Sequence, residues 1–589
     1  MNKKIILLLL VSEFLFSCSS NENLNLSHHF SNKRSYYQTY HFFRCLDEGC
    51  DAVREKHTHF LADGVCEVCG YDVKWDNLNG GGEGEEIQEI SKISESDYII
   101  DDFYSYSEKS FDLSTAYKID LSSLINDIDQ GSYAFKNNIL KIKESGIYEL
   151  SGYLKGAVEV SDSTDEIVLA LNNVEIETLE TQACAPLVFS KPKNSTISKR
   201  YVHLVENSIN KLCDSEGDNA TDGDGAAIQA KKRDLVINGK GQLLLEGKGE
   251  ETSGIKAKTD LIIRDSTVNI LSVNKSGIKA DEKVALLNAN IKIESKGDGI
   301  KTDLEPSTEE EALNYSSSLS NGYLYIENTS IDIVSGDDGI CSNNGLFIKN
   351  NENNLIKILS NKGVPNTISE STSNSANGKG IKVAGIKTVD TYYKSSFENE
   401  YGLVITGGNF EINSNDDAIS SKGNLIISGG AFVIDSGDDG IHSEYLTKIK
   451  DGDIKINKCY EGIEGAFVEI YDGEIDLISA DDGINAANGD LRYESFYIHI
   501  AGGNIHVDAE GDGLDSNGTI QINGGCLLID GPTREDNGAL DSDKGIIVNG
   551  GTICAIGSKG MVETPSQSSN QNYINLGLKK LFLVAAKYF

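Results

Sequence analysis

Apolar and polar residues alternate in short stretches through most of the chain, and many of these stretches follow a glycine. In NFEIN, Phe410 and Ile412 alternate with polar residues, and in AFVID, Phe432 and Ile434 do the same. This period of two, with β-branched and aromatic residues at the apolar positions, predicts half-buried strands. The Gly-Gly, Asp-Gly and Asn-Gly pairs before these stretches predict tight turns.

A second signature, a glycine followed by isoleucine or leucine, returns about every 22 residues and is usually led by acidic residues. Copies at Gly254, Gly277 and Gly299 follow one another at this spacing, and longer steps contain insertions. A fixed period indicates an array of one supersecondary unit. About 22 residues hold three short strands and three turns, so we predict an all-β parallel β-helix with rungs about 4.8 Å apart. The alternative is a β-sandwich, but sandwiches do not repeat their turn chemistry at constant spacing.

The charge of the chain restricts its partners. In 589 residues there are 91 Asp and Glu against 53 Lys and Arg, which gives a net charge of −38. This excess opposes binding to nucleic acid, because a phosphate backbone requires a cationic face. It is typical of a surface protein that attracts cations. We expect a monomer with no nucleic-acid partner.

The first residues predict export. Lys3 and Lys4 precede an apolar run that ends in Leu15-Phe16-Ser17-Cys18, which resembles the lipobox of bacterial lipoproteins. We therefore predict a lipoprotein signal peptide over 1–18 with lipidation at Cys18, and a protein anchored by lipid at the bacterial cell surface. Ordinary signal cleavage and a signal anchor are the alternatives. No later segment is long and apolar enough to span a bilayer, so the lipid is the predicted membrane contact.

Residues 40–75 form a predicted small Cys-rich module. Cys45, Cys50, Cys66 and Cys69 form two pairs about 15 residues apart, which is typical of a tetrahedral zinc site of the zinc-ribbon type. Two disulfides are the alternative. A piece of this size needs one of these two forms of cross-linking to fold. Residues 76–99, rich in Gly and Glu, are predicted to be a flexible acidic linker.

The turns before the repeated glycines form a candidate calcium centre. Stacking the rungs would align their Asp residues about 4.8 Å apart, where carboxylates repel one another. Ca²⁺ with oxygen ligands would relieve this repulsion, although Asp in such turns also caps backbone N–H groups. The candidate ligands are Asp298, Asp337, Asp338, Asp416, Asp417, Asp438, Asp439, Asp481, Asp482 and Asp512, with Asp222 and Asp224 in a separate acidic cluster.

A second column follows the glycines and begins with lysines. It contains Lys256, Lys279, Lys301 and Lys382. Three interpretations are open: compensation of the neighbouring carboxylates, contact with an acidic polymer, or a lysine that acts as the base of a β-elimination.

Over about residues 135–570 the chain resembles the bacterial surface carbohydrate-binding β-helix proteins, of the cellulose-binding, polysaccharide-lyase-like type known from cellulolytic clostridia. The motifs that carry the resemblance are KGDGIKTD around Gly299, the run NDDAISSKGNLIISGGAFVIDSGDDGIHSE from Asn415, the run from Tyr460 to Asp490, and GDGLDSNGTIQINGG from Gly511. The resemblance implies a right-handed, single-stranded, pectate-lyase-like parallel β-helix with bound Ca²⁺. It also implies binding to polysaccharides such as cellulose or pectin. We expect this domain to span 100–565, followed by a divergent tail over 566–589.

The predicted function is therefore calcium-stabilised, non-catalytic polysaccharide binding at the cell surface. Sugar contacts would come from aromatic residues of the insertions, which stack on sugar rings: Tyr392, Tyr393, Tyr493 and Tyr497, with Tyr323 and Tyr325 near another insertion. The lysines Lys256, Lys279, Lys301 and Lys382 are the other candidate sugar contacts. No catalytic residue is assigned, because an acidic pair repeated in rung after rung indicates architecture. A calcium-dependent pectate lyase and a surface adhesin are the alternatives.

Overall fold

The computed structural model describes residues 109–161, 166–180, 184–190, 200–215, 225–231, 234–304, 321–385, 402–488 and 496–577, and the backbone of five strands before residue 67. The chain divides into two units, 1–90 with 582–589 and 91–581. In the first unit, Ser35–Tyr36, Tyr40–Arg44 and Val53–Thr58 form an antiparallel sheet, and Leu61–Ala62 pairs with Val65–Cys66. The side chains of Cys18, Cys45, Cys50, Cys66 and Cys69 lie outside the described residues.

The second unit is a parallel β-solenoid in which each rung contributes one strand to each of three ladders. This confirms the predicted all-β repeat with three strands per rung. The right-handed coil that the family resemblance implies stays a prediction.

The first ladder contains the short strands that carry the Gly-Ile signature. Its strands are Ala157–Val160, Leu187–Phe189, Ala226–Ala230, Ser253–Ala257, Ile278–Ala280, Ile300–Thr302, Ile340–Ser342, Ile381–Val383, Ile419–Ser421, Ile441–Ser443, Ile463–Gly465, Ile484–Ala486, Leu514–Ser516 and Leu540–Ser542.

The second ladder follows the first after a short turn. Its strands are Arg200–Leu204, Leu235–Asn238, Leu261–Arg264, Lys283–Leu287, Tyr323–Glu327, Gly345–Lys349, Gly402–Ile405, Asn424–Ile427, Leu446–Ile449, Phe467–Ile470, Tyr497–Ile500, Thr519–Ile522 and Ile546–Val548.

The third ladder closes each rung. Its strands are Ile209–Asp214, Gln242–Gly247, Thr267–Val273, Asn290–Ser295, Ser330–Ser335, Leu355–Ser360, Asn409–Asn413, Ala431–Asp435, Asp453–Cys459, Glu474–Ser479, Asn504–Ala509, Cys526–Asp530 and Thr552–Ile556. The long strands Gly146–Lys155 and Ile167–Glu177 each belong to both the second and the third ladder. The strand Tyr117–Asp120 pairs with Gly146–Lys155.

The turn between the second and third ladders explains the residues that precede each alternating stretch. The chain reverses there with a positive φ, 49° at Asn288 and 117° at Gly430. Glycine and asparagine adopt this left-handed conformation at low cost. The Gly-Gly, Asp-Gly and Asn-Gly pairs that predicted tight turns therefore lie at this corner of the rung.

The repeated glycine before the first ladder has a steric reason. A Cβ on Gly299 would lie 2.5 Å from the carbonyl oxygen of Gly339 in the next rung and 2.7 Å from Cγ2 of Ile333. The backbone of one rung and the aliphatic core both occupy the space that a side chain would need. The signature therefore reflects close packing of the turn, since Gly299 does not have a positive φ.

The alternating apolar residues fill the interior of the solenoid. Phe410 and Phe432 are in register in adjacent rungs, and their rings stack with centroids 4.5 Å apart and planes 5° from parallel. Ile412 and Ile434 are buried beside them. Identical rungs thus place identical side chains above one another, which gives each core position the same neighbours.

The described part of the domain predicted over 100–565 has an antiparallel segment near its beginning. Ile128–Asp129, Tyr133–Lys136 and Ile139–Ile142 form an antiparallel meander before the long strand Gly146–Lys155. Asn137 and Asn138 both have positive φ, 54° and 60°, which is the geometry of a tight hairpin turn. The meander covers the first edge of the ladder, because Ile139–Ile142 pairs with Ala157–Val160.

Helix is scarce among the described residues. Leu113–Thr115 and Leu121–Ser123 are single 3₁₀ turns, and the short α-helix Glu370–Ser373 lies in an insertion between rungs. No helix in the described ranges is long and apolar enough to cross a membrane.

Candidate metal centre and carbohydrate-binding surface

Stacking aligns the residue before each repeated glycine into a single column, which we call the acid column. The glycine N–H of each rung donates to the carbonyl oxygen of that residue in the next rung, for example from Gly440 to Glu461 at 2.9 Å and from Gly483 to Asp512 at 2.8 Å. In chain order the column is Asp298, Asp338, Lys379, Asp417, Asp439, Glu461, Asp482 and Asp512. The structure therefore brings the Asp residues of the predicted centre together.

A second column lies beside the first, two residues after each glycine. We call it the flanking column, and it contains Lys256, Lys279, Lys301, Cys341, Lys382, Ser420, His442, Glu464, Asn485, Asp515 and Asp541. Its charge changes from basic to acidic along the solenoid.

Lysines neutralise the early part of the acid column. Lys301 pairs with Asp298 at 3.0 Å and Lys382 pairs with Asp338 at 2.8 Å. Lys279 pairs with Asp303 on the same face. These contacts favour the interpretation of the lysine column as charge compensation.

Lys379 stands in the acid column itself, in the copy that reads Lys-Gly-Ile. Its Nζ donates to Asp416 Oδ1 at 2.7 Å and to Asp417 Oδ2 at 2.5 Å. Burial alone would lower the pKa of Lys379, but Asp417 and Asp416 outweigh it and raise that pKa. The ammonium group thus occupies a position where a cation is required.

His442 provides the next positive charge. Its Nδ1 lies 2.7 Å from both Asp439 Oδ2 and Glu464 Oε2. Burial lowers the pKa of His442, but Glu464 and Asp439 overcome this effect and hold the pKa well above its usual value. His442 is therefore an imidazolium that links the acid column to the flanking column.

The acid column beyond His442 has no comparable cation among the described residues. Burial and the neighbouring Glu464 raise the pKa of Glu461 to about 8. Burial raises the pKa of Asp482 to about 7, and burial with Asp512 raises that of Asp515 to about 7. Burial is the largest cause of all three shifts, and the neighbouring carboxylates add to it.

An orphaned acceptor lies within this uncompensated part. Asn485 is 7% exposed, and its Nδ2 donates to Glu461 Oε2 at 2.9 Å. Its Oδ1 is buried and accepts no hydrogen bond. A carboxamide oxygen beside carboxylates is the donor set that Ca²⁺ prefers. The residues present therefore fit this ion.

Groups of three ligand atoms within 4.8 Å of one another occur at four places in the described chain. They are Asp298 with Asp337 and Asp338, Asp416 with Asp417 and Asp438, Asp417 with Asp439 and His442, and Asp439 with Glu461 and Glu464. Sequence reasoning did not name Glu461 as a candidate ligand, although YEGIEG places it where other copies have Asp. Asp481 lies beside Asp482, and Asp222 and Asp224 lie outside the described residues.

The predicted sugar contacts have different surroundings. Lys256 is buried, and Tyr323 and Tyr325 are buried on the second ladder. Tyr497 is 8% exposed, and its hydroxyl donates to Glu469 Oε1 at 2.8 Å, so its ring is part of a packed cluster. The candidates Tyr392, Tyr393 and Tyr493 lie outside the described residues.

The chain was compared with solved structures, with curated proteins and with models of protein families. One solved structure, titled "Structure of the polysaccharide lyase-like protein from C. thermocellum, Gadolinium derivative", is 24% identical, covers 41% of this chain and 90% of its own, and has a TM-score of 0.33. The search of curated proteins gave no match. The family described as carbohydrate-binding domain-containing protein matches residues 136–440, 380–457 and 438–571. Because these matches cover most of the solenoid, the chain belongs to the family of carbohydrate-binding domain-containing proteins.

Proposed function

We propose that this protein is a non-catalytic polysaccharide-binding solenoid that Ca²⁺ stabilises. Its membership of the carbohydrate-binding family over residues 136–571 is the observation that carries the polysaccharide partner. Cellulose and pectin-like chains are the proposed classes of ligand.

Calcium would bind the acid column beyond His442. Glu461, Glu464, Asp482, Asp512 and Asp515 would supply carboxylate oxygens to one or more ions. Lys379 and His442 occupy the equivalent positions in the preceding rungs. The absence of such a cation among the described residues of the later rungs supports a metal there. The bound ion would supply positive charge that offsets carboxylate repulsion along the column.

The state of the lysines argues against a lyase. A base that removes a proton from a uronate must be neutral at the working pH. Burial lowers the pKa of Lys301, but Asp298 and Asp303 outweigh that effect and raise the pKa. Burial likewise lowers the pKa of Lys382, but Asp338 outweighs that effect and raises the pKa. Both lysines are therefore charged and engaged in ion pairs.

The function is tested by titrating the protein with polygalacturonate and with soluble cellulose fragments, with and without Ca²⁺. Heat of binding and absorbance at 235 nm are followed together, because β-elimination creates an unsaturated product that absorbs there. Binding without a rise in absorbance is expected. A rise in absorbance that Lys301→Ala abolishes would show a calcium-dependent pectate lyase instead, and the absence of binding to any glycan would favour an adhesin with a protein partner.

The remaining parts of the proposal concern residues near the N-terminus. We propose export, lipidation at Cys18, display at the cell surface as a monomer, and zinc bound by Cys45, Cys50, Cys66 and Cys69. Labelling with a palmitate analogue, with Cys18→Ser as the control, tests the anchor. Zinc content of the purified protein, measured against Cys66→Ser, distinguishes the metal from two disulfides.

A further inference from the structure

The outward face of the second ladder changes character at one rung. One outward position is occupied in successive rungs by apolar residues that are nearly fully buried: Val168, Tyr201, Val236, Ile262, Ala285, Tyr325, Phe347, Val404 and Ile426. The same position then holds Lys448, Glu469, His499 and Gln521. Burial of apolar surface accounts for the first group of residues at this position. It does not account for the polar residues that follow them.

Glu469 is the centre of the polar cluster. Its Oε1 accepts the Tyr497 hydroxyl at 2.8 Å, and its Oε2 accepts the Tyr471 hydroxyl at 3.0 Å. Lys448 Nζ lies 3.0 Å from the same Oε2 and 5.0 Å from the centroid of the Tyr471 ring. A buried carboxylate thus fixes two tyrosines and a lysine, so the ring of Tyr471 is held in one orientation. Tyr471 is partly exposed, whereas Tyr497 is buried.

His499 extends the cluster toward a row of amides. Its ring lies 6.0 Å from that of Tyr471, with the planes at 80°. Its Nε2 accepts the Nδ2–H of Asn523 at 3.0 Å, which leaves a proton on Nδ1. Gln521 Nε2 donates to Asn523 Oδ1 at 3.2 Å. In the described structure, the Nδ1–H of His499 and the Oε1 of Gln521 have no protein partner and remain available to a ligand.

The space between these groups suits a sugar ring. Tyr471, Ala501 and Asn523 follow one another at the end of the second ladder, since Ala501 N donates to Ile470 O and Asn523 N donates to Ile500 O. Tyr471 and Asn523 are thus two rungs apart, about 9.6 Å. Ala501 between them has only a methyl group, so the three residues form a notch with an aromatic side, an amide side and a small floor.

The cluster has no net charge in a chain of net charge −38. Lys448 and Glu469 cancel each other, and burial lowers the pKa of His499, so this imidazole is neutral. Lys448 pairs with Glu469, and Lys450, one rung before Tyr471, also has a partner, so neither lysine offers a free charge to a polyuronate. A neutral chain offers hydroxyl groups that match His499 Nδ1–H and Gln521 Oε1, and an apolar ring face that packs on an aromatic side chain.

We propose that Tyr471, His499, Gln521 and Asn523 form a glycan subsite that takes a neutral polysaccharide in preference to a polyuronate. This inference rests on the proposed polysaccharide-binding function and locates it on the outward face of the second ladder. Glu469 and Lys448 are positioning residues, because they hold the Tyr471 ring and do not themselves present free groups.

The test is calorimetric titration of the calcium-loaded protein with cellohexaose and with hexagalacturonate. Tyr471→Ala should weaken binding of cellohexaose about tenfold, because the aromatic contact is lost. Gln521→Ala, which removes only a partly exposed side chain, should weaken it about threefold. Tyr153→Ala is the matched control, since Tyr153 is an exposed tyrosine in a different part of the solenoid.

The possible results distinguish failure of the proposed subsite from failure of the proposed polysaccharide-binding function. If the unmodified protein binds glycan and neither Tyr471→Ala nor Gln521→Ala changes its affinity for cellohexaose, the subsite is wrong and the function stands. If hexagalacturonate binds more tightly than cellohexaose and weakens equally in Tyr471→Ala, the neutral preference is wrong. If the unmodified protein binds no glycan, both fail. Where circular dichroism shows Tyr471→Ala to be misfolded, Gln521→Ala decides the result.

Discussion

Lys379 Nζ lies 2.7 Å from Asp416 Oδ1, and this ammonium group stands in the acid column where the adjacent rungs have Asp338 and Asp417. The chain thus supplies its own cation to one part of the acid column. Beyond His442, the described residues supply no such cation. The distribution of fixed positive charge therefore decides where a metal is needed.

Replacing Lys379 with methionine should destabilise the protein. The change leaves the largely buried carboxylates of Asp416 and Asp417 without a partner, which we expect to cost about 3 kcal/mol. Thermal unfolding in EDTA measures the loss. Lys357→Met is the control, because the ion pair of Lys357 with Glu411 is exposed to solvent and should contribute little to stability. Equal effects of the two changes would contradict the role of Lys379.

Calcium should raise the melting temperature of the protein, and EDTA should reverse the rise. An ion that binds only the folded state at about 100 times its dissociation constant adds about 2.7 kcal/mol. Asp482→Asn should reduce this gain, yet should make the metal-free protein more stable near pH 8, because one repelling charge is removed. Asp332→Asn, an exposed carboxyl paired with Lys292, is the control. A calcium response that Asp482→Asn leaves intact would place the ion elsewhere.

Asp260 should make stability depend on pH. Burial raises the pKa of Asp260 to about 7, against an opposing effect of Lys283. An unfolded Asp titrates near 3.9, so the folded protein binds the extra proton and its stability falls as pH rises from about 4 to 7. The expected loss is about 3 kcal/mol, and Asp260→Asn should remove it. Unfolding measured at pH 5 and pH 8 checks this, and an unchanged pH slope in Asp260→Asn would refute it.

Gly339→Ala should destabilise the turn of its rung. The added Cβ would lie 2.5 Å from Gly380 O and 2.5 Å from Ile358 Cγ2, so the next rung must shift. Overpacking of this kind costs about 2 kcal/mol. Gly577→Ala is the control, because a Cβ at Gly577 has no neighbour within 4 Å. A melting temperature unchanged by Gly339→Ala would show that the repeated glycine is not sterically required.

The acid column shows how far sequence reasoning reached and where it stopped. The spacing of Asp298, Asp338 and Asp417 predicted that their turns would stack, and the backbone hydrogen bonds confirm that they do. The spacing did not show that Lys379 lies in the same column as a cation, because this copy has no acidic residue before its glycine and only Lys382 after it. It also gave no role to Glu461, although this residue occupies the same register position.

The aromatic residues show a limit of another kind. The sequence predicts Tyr497 as a sugar contact carried by an insertion, but Tyr497 begins a strand of the second ladder and its hydroxyl donates to Glu469. Tyr471 was not considered, since it begins the Tyr-Asp-Gly turn of its repeat and resembles turn chemistry only. Whether an outward side chain is covered depends on the insertions of neighbouring rungs, which a repeat pattern does not contain.

By itself the sequence determined the repeat, the three strands of each rung, the inward apolar positions and the stacking of the acidic turns. This was possible because each repeat of a solenoid contacts only its neighbours, so these features follow from the sequence of one repeat and its copies. Only the tertiary structure decided which carboxylates have a lysine or histidine partner, which outward faces are covered, and that Tyr471, His499 and Gln521 lie in one cluster. These features depend on differences between rungs, and such differences acquire meaning only when the rungs are stacked.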